Sequence, residues 1–324
     1  MSKGIIYAKS WNPISGCSPV SEGCANCWAK AMARRQRQEW GTVHLHEKRL
    51  EQPLHWRKPR TVAVAFMGDL FHDQVPDAFI DKVFAVMALT PQHTYLLLTK
   101  RPERMKQYID KDDGRYGPMG VRVALDRLKT GGLEEYIYRH GGFRWPLPNV
   151  WLGVSCENQA RADERIPLLL DTPAAHRWVS LEPLLEAVDL VWKGSPTSSG
   201  WLDSIDWCVI GGESGPHARP CDLGWIRDIR DQCKAAGVPC YIKQVGAKPM
   251  LPYTPAGQHE WTSMDKVALG WRLGVGEGVS FRRGPNGERL GYAFRLCDRK
   301  GENPSEWPPD LRVRETPEGG DDAN

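Results

Sequence analysis

No run of apolar residues in this 324-residue sequence is long enough to span a bilayer. The opening residues, Met1-Ser-Lys-Gly-Ile-Ile-Tyr7, lack the apolar core of a signal peptide. A cytoplasmic protein is therefore expected, in a compartment where thiols stay reduced. Its nine cysteines then point to metal binding or catalysis rather than to disulfides. A strong charge imbalance is missing too: 43 Lys/Arg stand against 40 Asp/Glu, a net charge of +3. That balance does not by itself identify a nucleic-acid partner. No short internal repeat is present beyond an alternation of strand-like and helix-like segments. What remains is the composition of a soluble globular protein, 41% hydrophobic and 26% charged.

The charge is uneven along the chain. Between Lys30 and Arg60 lie nine Lys/Arg and three Glu. Such a belt could face phosphates, or be a solvated helix and loop. From Glu302 onward seven acids stand against Arg312 and Arg314.

Cys17, Cys24 and Cys27 form a C-x6-C-x2-C group within twelve residues. Three thiols are one fewer than the four that close an iron–sulfur cluster. An open position is where a substrate could join the metal, as in catalytic zinc sites. A structural Cys3His zinc site completed by His44 or His46 is the plain alternative. Catalytic zinc is a weaker one, because the His/Glu pattern of zinc deaminases is absent.

After the cysteines, short apolar runs end abruptly in polar or glycine-containing clusters. Residues 61–67 end in Gly68-Asp69, 93–98 in Thr99-Lys100-Arg101, and 150–154 in Ser155-Cys156-Glu157-Asn158. Residues 176–180 end in Leu181-Glu182-Pro183, 206–210 in Gly211-Gly212-Glu213, and 238–242 in Lys243-Gln244. Nearly continuous apolar runs of this length read as buried parallel strands. Helical spacing lies between them over 76–88, 102–109, 159–170 and 223–236. Counting a short first strand near Trp11–Ile14, seven strand ends predict an α/β fold, a complete or partial TIM-like (βα) barrel with function at one mouth. The expected organisation is a barrel over 1–249 with an insertion or lid at about 111–148, a β-rich appendage over 250–310, and an acidic flexible tail over 311–324.

Taken together, the cysteine segment and the clusters Trp11-Asn-Pro13, Asp69-Leu-Phe-His72, Thr99-Lys-Arg-Pro102, Leu152-Gly-Val-Ser155, Ser180-Leu-Glu-Pro183 and Gly211-Gly-Glu-Ser-Gly215 resemble the radical S-adenosylmethionine (SAM) enzymes, in a branch encoded by phages and bacteria. The likeness runs from about Trp11 to Gly246. The first cysteine gap is longer than the usual C-x3-C-x2-C, and Trp28 follows Cys27 where an aromatic normally precedes the third cysteine. The resemblance implies a [4Fe-4S] cluster on Cys17, Cys24 and Cys27 whose fourth iron binds SAM. It implies one-electron cleavage of SAM to a 5′-deoxyadenosyl radical, with an electron donor such as flavodoxin or ferredoxin.

By the same resemblance, Gly68 and Asp69 would hold the SAM amino group, with a helix N-cap the alternative for Asp69. Lys100 or Arg101 would meet its carboxylate. Ser155, Glu157 and Asn158 would meet the ribose, although Ser155 or Asn158 could instead cap a helix. Gly211 and Gly212 would admit the adenine, or form an ordinary turn. Glu182, Glu213, Lys243 and Gln244 would face substrate as proton-handling groups, or form a buried ion pair. Cys156 is a candidate hydrogen-atom donor, with a packed core thiol as its plain reading; Cys208, Cys233 and Cys240 read as core. Most of the 14 tryptophans read as core too, while a few could shield the cluster or stack on a base.

The substrate expected from the resemblance is a DNA base or modified nucleotide. The leading version is isomerisation of N-linked to C-linked glycyl-thymidine in viral DNA hypermodification, which in a phage places the protein in the host cytoplasm. Photoproduct lysis and tRNA modification are alternatives, as is a non-catalytic, metal-stabilised nucleic-acid-binding protein.

Overall fold

Every apolar run read as a strand is one in the computed structural model, which describes residues 6–111, 117–128, 144–191, 199–252, 279–283, 289–294, 296, 298 and 300–317. Seven parallel strands hydrogen-bond in chain order: β1 (Lys9–Trp11), β2 (Thr61–Val64), β3 (Thr94–Thr99), β4 (Val150–Ser155), β5 (His176–Leu181), β6 (Trp207–Gly211) and β7 (Cys240–Gln244). The expected helices are α2 (Asp77–Ala88), α3 (Pro102–Ile109), α4 (Gln159–Leu170) and α5 (Leu223–Ala236), preceded by α1 (Trp28–Arg35). Local chemistry fixes their ends. Asn158 Oδ1 accepts the Arg161 N–H at the start of α4, and Asp222 caps α5. Gly237, at φ 71°, ends α5 in a left-handed turn that disfavours a side chain.

The sheet is buried on both faces, as uninterrupted apolar strands require. One face packs Val64, Leu97, Val154, Leu181 and Ile210 with the helices. The alternate residues Leu96, Trp151, Trp178, Trp207, Val209 and Tyr241 form a separate cluster on the other face. Trp178 and Trp207 lie 5.8 Å apart, and Trp207 and Tyr241 6.1 Å apart. Gly153 explains itself here: a Cβ would sit 2.5 Å from the Trp178 ring. These tryptophans form the floor beneath the strand ends.

The expected TIM-like barrel, complete or partial, is not what forms. The sheet is open, an α/β arrangement in which β1 and β7 remain its two edges. Closure requires the last strand to pair with the first. Here the free edge of β7 is already taken. Ile242 N donates to Val313 O and Glu315 N to Cys240 O, both at 2.9 Å, around an antiparallel bridge between Tyr241 and Arg314. The segment assigned to the tail from 311 thus enters the fold as far as Glu315, with Leu311 and Trp307 fully buried. In the region expected as an appendage, Val279–Arg283, Arg289–Phe294 and Pro249–Pro252 join Cys221–Asp222 in a four-stranded sheet. Of the expected lid, Met119–Arg127 is a helix that buries Val121 and Leu125; residues 112–116 and 129–143 lie outside the described residues. Cys297 also lies outside them.

Candidate functional site

All the polar clusters fall at the carboxyl edge of the sheet, where parallel strands leave their ends open. The cysteine segment crosses that edge. It leaves the short strand Ile14–Ser15, bridges Gly16 to Gly68 beside β2, and ends at Cys27, which opens α1. Gly16 has φ 88°, and a Cβ there would lie 1.9 Å from Thr42 O. A Cβ on Gly68 would lie 2.9 Å from Gly16 O. Both glycines therefore serve the crossing of the cysteine segment over β2.

Side chains from four strand ends brace this loop. From β3, Arg101 Nη2 donates to Ser18 O and Oγ, both at 2.9 Å. From β4, Glu157 Oε1 accepts the Gly23 N–H at 3.2 Å. From β6, Glu213 Oε2 accepts Asn26 Nδ2 at 2.9 Å. From β2, Asp69 takes Arg101 Nη1 at 3.2 Å and so orients the guanidinium. Arg219 adds Nη1 to Glu22 O at 2.9 Å, and itself binds Glu213 at 2.6 Å.

The acids are consequently saturated. Asp69 also accepts Thr99 Oγ1, Phe71 N and Lys100 N. Glu157 is fully buried, and its Oε2 accepts Lys100 Nζ at 3.1 Å and Arg165 Nη1 at 3.0 Å. Burial alone would raise the Glu157 carboxyl; the Lys100 and Arg165 charges outweigh it and hold it at about 2. Burial opposes ionisation of Glu213 as well, and hydrogen bonds from Arg219 and Asn26 keep it below the usual carboxylate range.

The other predicted residues gather in the same mouth. Lys100 Nζ donates to Ser155 Oγ at 2.6 Å, and Ser155 Oγ to Glu182 O at 3.0 Å. Lys243 Nζ lies 2.8 Å from both Glu182 oxygens, and Gln244 Nε2 lies 2.7 Å from one. Burial would lower the Lys243 ammonium, but Glu182 outweighs it and raises it. Gln244 Oε1 is buried with no hydrogen-bond partner among the described residues. Gly211 and Gly212 approach neighbours closely: a Cβ would stand 3.0 Å from Glu182 Oε1 in the first case and 2.6 Å from Val245 O in the second. Asn158 is turned to its capping bond. Cys156 lies below the mouth, fully buried, and burial pushes its thiol up to about 12.

Cys17, Cys24 and Cys27 are free and half-buried. Burial pushes the Cys17 thiol up to about 11, Asp69 adds to this, and Arg101 opposes it. Cys24 contributes to the same rise, so its sulfur lies within electrostatic reach. Among the described residues no three His, Cys, Asp or Glu already stand together as a metal-ready group. The thiols would have to draw in around a metal. The donor set nonetheless fits a group needing three sulfur ligands on one chain segment. His46 fits less well as a fourth ligand, because its Nε2 is engaged with Ser15 Oγ at 2.8 Å.

The basic belt does not form one patch. Lys30, Arg34, Arg35 and Arg37 follow Cys27 on and just after α1, while Arg57, Lys58 and Arg60 precede β2 at the opposite edge of the sheet. Trp28, at the rim, is 49% exposed. The bracing residues Ser18, Asn26, Arg165 and Arg219 escaped the sequence reading. Arg165 alone carries a signal: it is a charge on the face of α4 that also buries Ala162, Ile166 and Leu169.

Residues 3–273 match the sequence family described as "Protein of unknown function (DUF5131)". No curated protein and no solved structure matches the chain.

Proposed function

We propose that this chain, which belongs to the DUF5131 family, is a radical SAM enzyme that binds a [4Fe-4S] cluster through Cys17, Cys24 and Cys27. One observation carries the reading. The loop bearing the three thiols is fastened by side chains from four strand ends, while the thiols themselves are left free and half-buried. A loop held for packing alone would not need three half-buried thiols outside any disulfide at the carboxyl edge of the sheet. Cluster and SAM together would supply a one-electron cleavage that yields a hydrogen-abstracting 5′-deoxyadenosyl radical, with reducing power from a flavodoxin- or ferredoxin-like donor.

The chain's own contribution is position. Asp69, Glu157 and Glu213 spend their charge holding Arg101, Gly23 and Asn26. Groups left to meet a ligand are the partly exposed ammonium groups of Lys100 and Lys243 and the unpartnered Gln244 Oε1. Among the described residues no helix is long and apolar enough to cross a membrane. We place the enzyme in the cytoplasm, where reduced thiols can load iron.

For the substrate we propose a nucleic-acid base, in its most specific form a glycyl-thymidine isomerised from N-linked to C-linked. The exposed Trp28 indole supports this, with Lys30, Arg34, Arg35 and Arg37 close behind it and in no ion pair with any described residue. Exposed indoles stack on bases, and unpaired cations attract phosphates. Anaerobic reconstitution with iron and sulfide, followed by dithionite and SAM, should release 5′-deoxyadenosine. Tetrahedral zinc with no iron in anaerobically purified protein would end the reading. Nucleoside analysis of DNA made with and without the active protein separates hypermodification from lesion repair.

A further inference from the structure

We infer that Arg101 is a positioning residue for Cys17 and raises the reduction potential of the cluster that this sulfur would hold; the inference rests on the reading above. Arg101 is only 8% exposed. Its Nη1 donates to Cys17 Sγ at 3.4 Å and to Asp69 Oδ2 at 3.2 Å, and its Nη2 donates to Ser18 O and Oγ at 2.9 Å each. Four of the five guanidinium N–H groups are used in this way, so little of Arg101 is left for a ligand.

Both partners of the fork are themselves fixed. Asp69 is held by Thr99 Oγ1 at 2.8 Å and by Phe71 N at 3.0 Å. Ser18 Oγ lies 2.8 Å from His72 Nε2. The Gln74 N–H donates to His72 Nδ1 at 3.1 Å, which leaves the ring proton on Nε2, pointing at Ser18. The guanidinium is thus a rigid, permanently charged donor aimed at one sulfur of three. Cys24 has only the weak Ser21 Oγ contact at 3.9 Å. A charged donor on a ligand sulfur offsets negative charge that grows on reduction. It therefore favours the reduced cluster and moves the potential upward.

The test uses the full chain, reconstituted anaerobically with iron and sulfide, without SAM or substrate. Iron and sulfide content and a potentiometric titration followed by electron paramagnetic resonance are measured for wild type, Arg101→Lys and Arg101→Gln. Both variants should load iron and show a more negative midpoint, Arg101→Gln by more than Arg101→Lys. Ser18→Ala, which leaves the sulfur contact in place, should keep the wild-type midpoint. Equal midpoints in all four proteins overturn the inference while leaving the cluster reading intact. So does loss of iron from both Arg101 variants with an unchanged circular dichroism spectrum, since Arg101 would then only hold the loop. Absence of iron from the wild type overturns the cluster reading, and this inference with it.

Discussion

The Asn26 carboxamide donates to Glu213 at 2.9 Å across 187 residues of chain, pinning the middle of the Cys24–Cys27 turn to the end of β6. A hydrogen bond to a charged group is worth about 1.5–3 kcal/mol. Asn26→Ala should therefore loosen the turn without unfolding the sheet. In the metal-free protein, alkylation of Cys24 and Cys27 by iodoacetamide, followed by mass spectrometry, should quicken several-fold, while the melting temperature falls only slightly. Unchanged labelling would mean that the Glu157 bond to Gly23 and the Arg219 bond to Glu22 hold the turn without Asn26.

Glu157 is the charge on which the β4 end depends. Its folded carboxyl lies at about 2, below its ordinary value of 4.5. A depressed carboxylate contributes stability in full above its unfolded pKa and loses it as pH falls toward the folded one. The contribution, roughly 3 kcal/mol at neutral pH, should fade between about pH 4.5 and pH 2. Glu157→Gln leaves Lys100 and Arg165 facing each other without a carboxylate, at a cost of about 3–5 kcal/mol. Urea unfolding from pH 7 downward checks both: the difference between wild type and variant should shrink as the medium turns acid. A constant difference would assign the loss to packing.

Much of the sheet is legible in the sequence because a strand buried on both faces carries a nearly continuous apolar run, as Tyr95–Leu98 and Val150–Val154 do before their polar ends Thr99 and Ser155. Closure is not legible. The edge of β7 is covered by Val313-Arg314-Glu315, three residues with no strand pattern whose place depends on where the chain returns. The same limit governs the site. Glu157 and Glu213 are readable as polar strand ends, but their partners Gly23 and Asn26 lie 134 and 187 residues away, and no local spacing encodes such pairings. Lys243 with Glu182 is an exception: they stand at the ends of β7 and β5, on either side of β6, and an acid and a lysine at one mouth can be paired from strand order alone.

Gly16 offers a severe test of the loop crossing. Its φ of 88° and the 1.9 Å approach of Thr42 O leave no place for a methyl group. Gly16→Ala should cost more than the usual 1 kcal/mol of a point change and break the bridge to Gly68. The expected result is a lowered melting temperature together with reduced iron uptake. Gly41→Ala, also at positive φ but with open space around its Cβ, should lower stability and leave iron uptake alone.

The four cysteines nearest the mouth divide by burial. Cys17→Ala, Cys24→Ala and Cys27→Ala each remove a half-buried thiol from the braced loop, and each should abolish iron retention and SAM cleavage. Cys156 instead lies fully buried, its amide N–H bonded to Ser180 O at 2.8 Å. Cys156→Ala should leave 5′-deoxyadenosine release intact and lower stability by on the order of 1 kcal/mol. Iron analysis and product chromatography on the four variants separate the two groups. Loss of product formation with normal SAM cleavage in Cys156→Ala would show that a thiol sealed in the core reaches the substrate radical after all.

The covered edge of β7 provides the last test. Cys240 and Ile242 exchange backbone hydrogen bonds with Glu315 and Val313, and Trp207 Nε1 donates to Glu315 O at 2.9 Å. Truncation after Arg312 removes these partners together. At about 1 kcal/mol per bond the chain should lose roughly 3 kcal/mol, and β7 becomes an unprotected parallel edge. The truncated protein should melt earlier and self-associate in size-exclusion chromatography as concentration rises. Truncation after Pro317, which keeps all three bonds, should do neither. If the shorter chain stays monomeric and equally stable, the 313–315 segment is not what keeps the sheet open, and strain in the short β1 would become the better explanation.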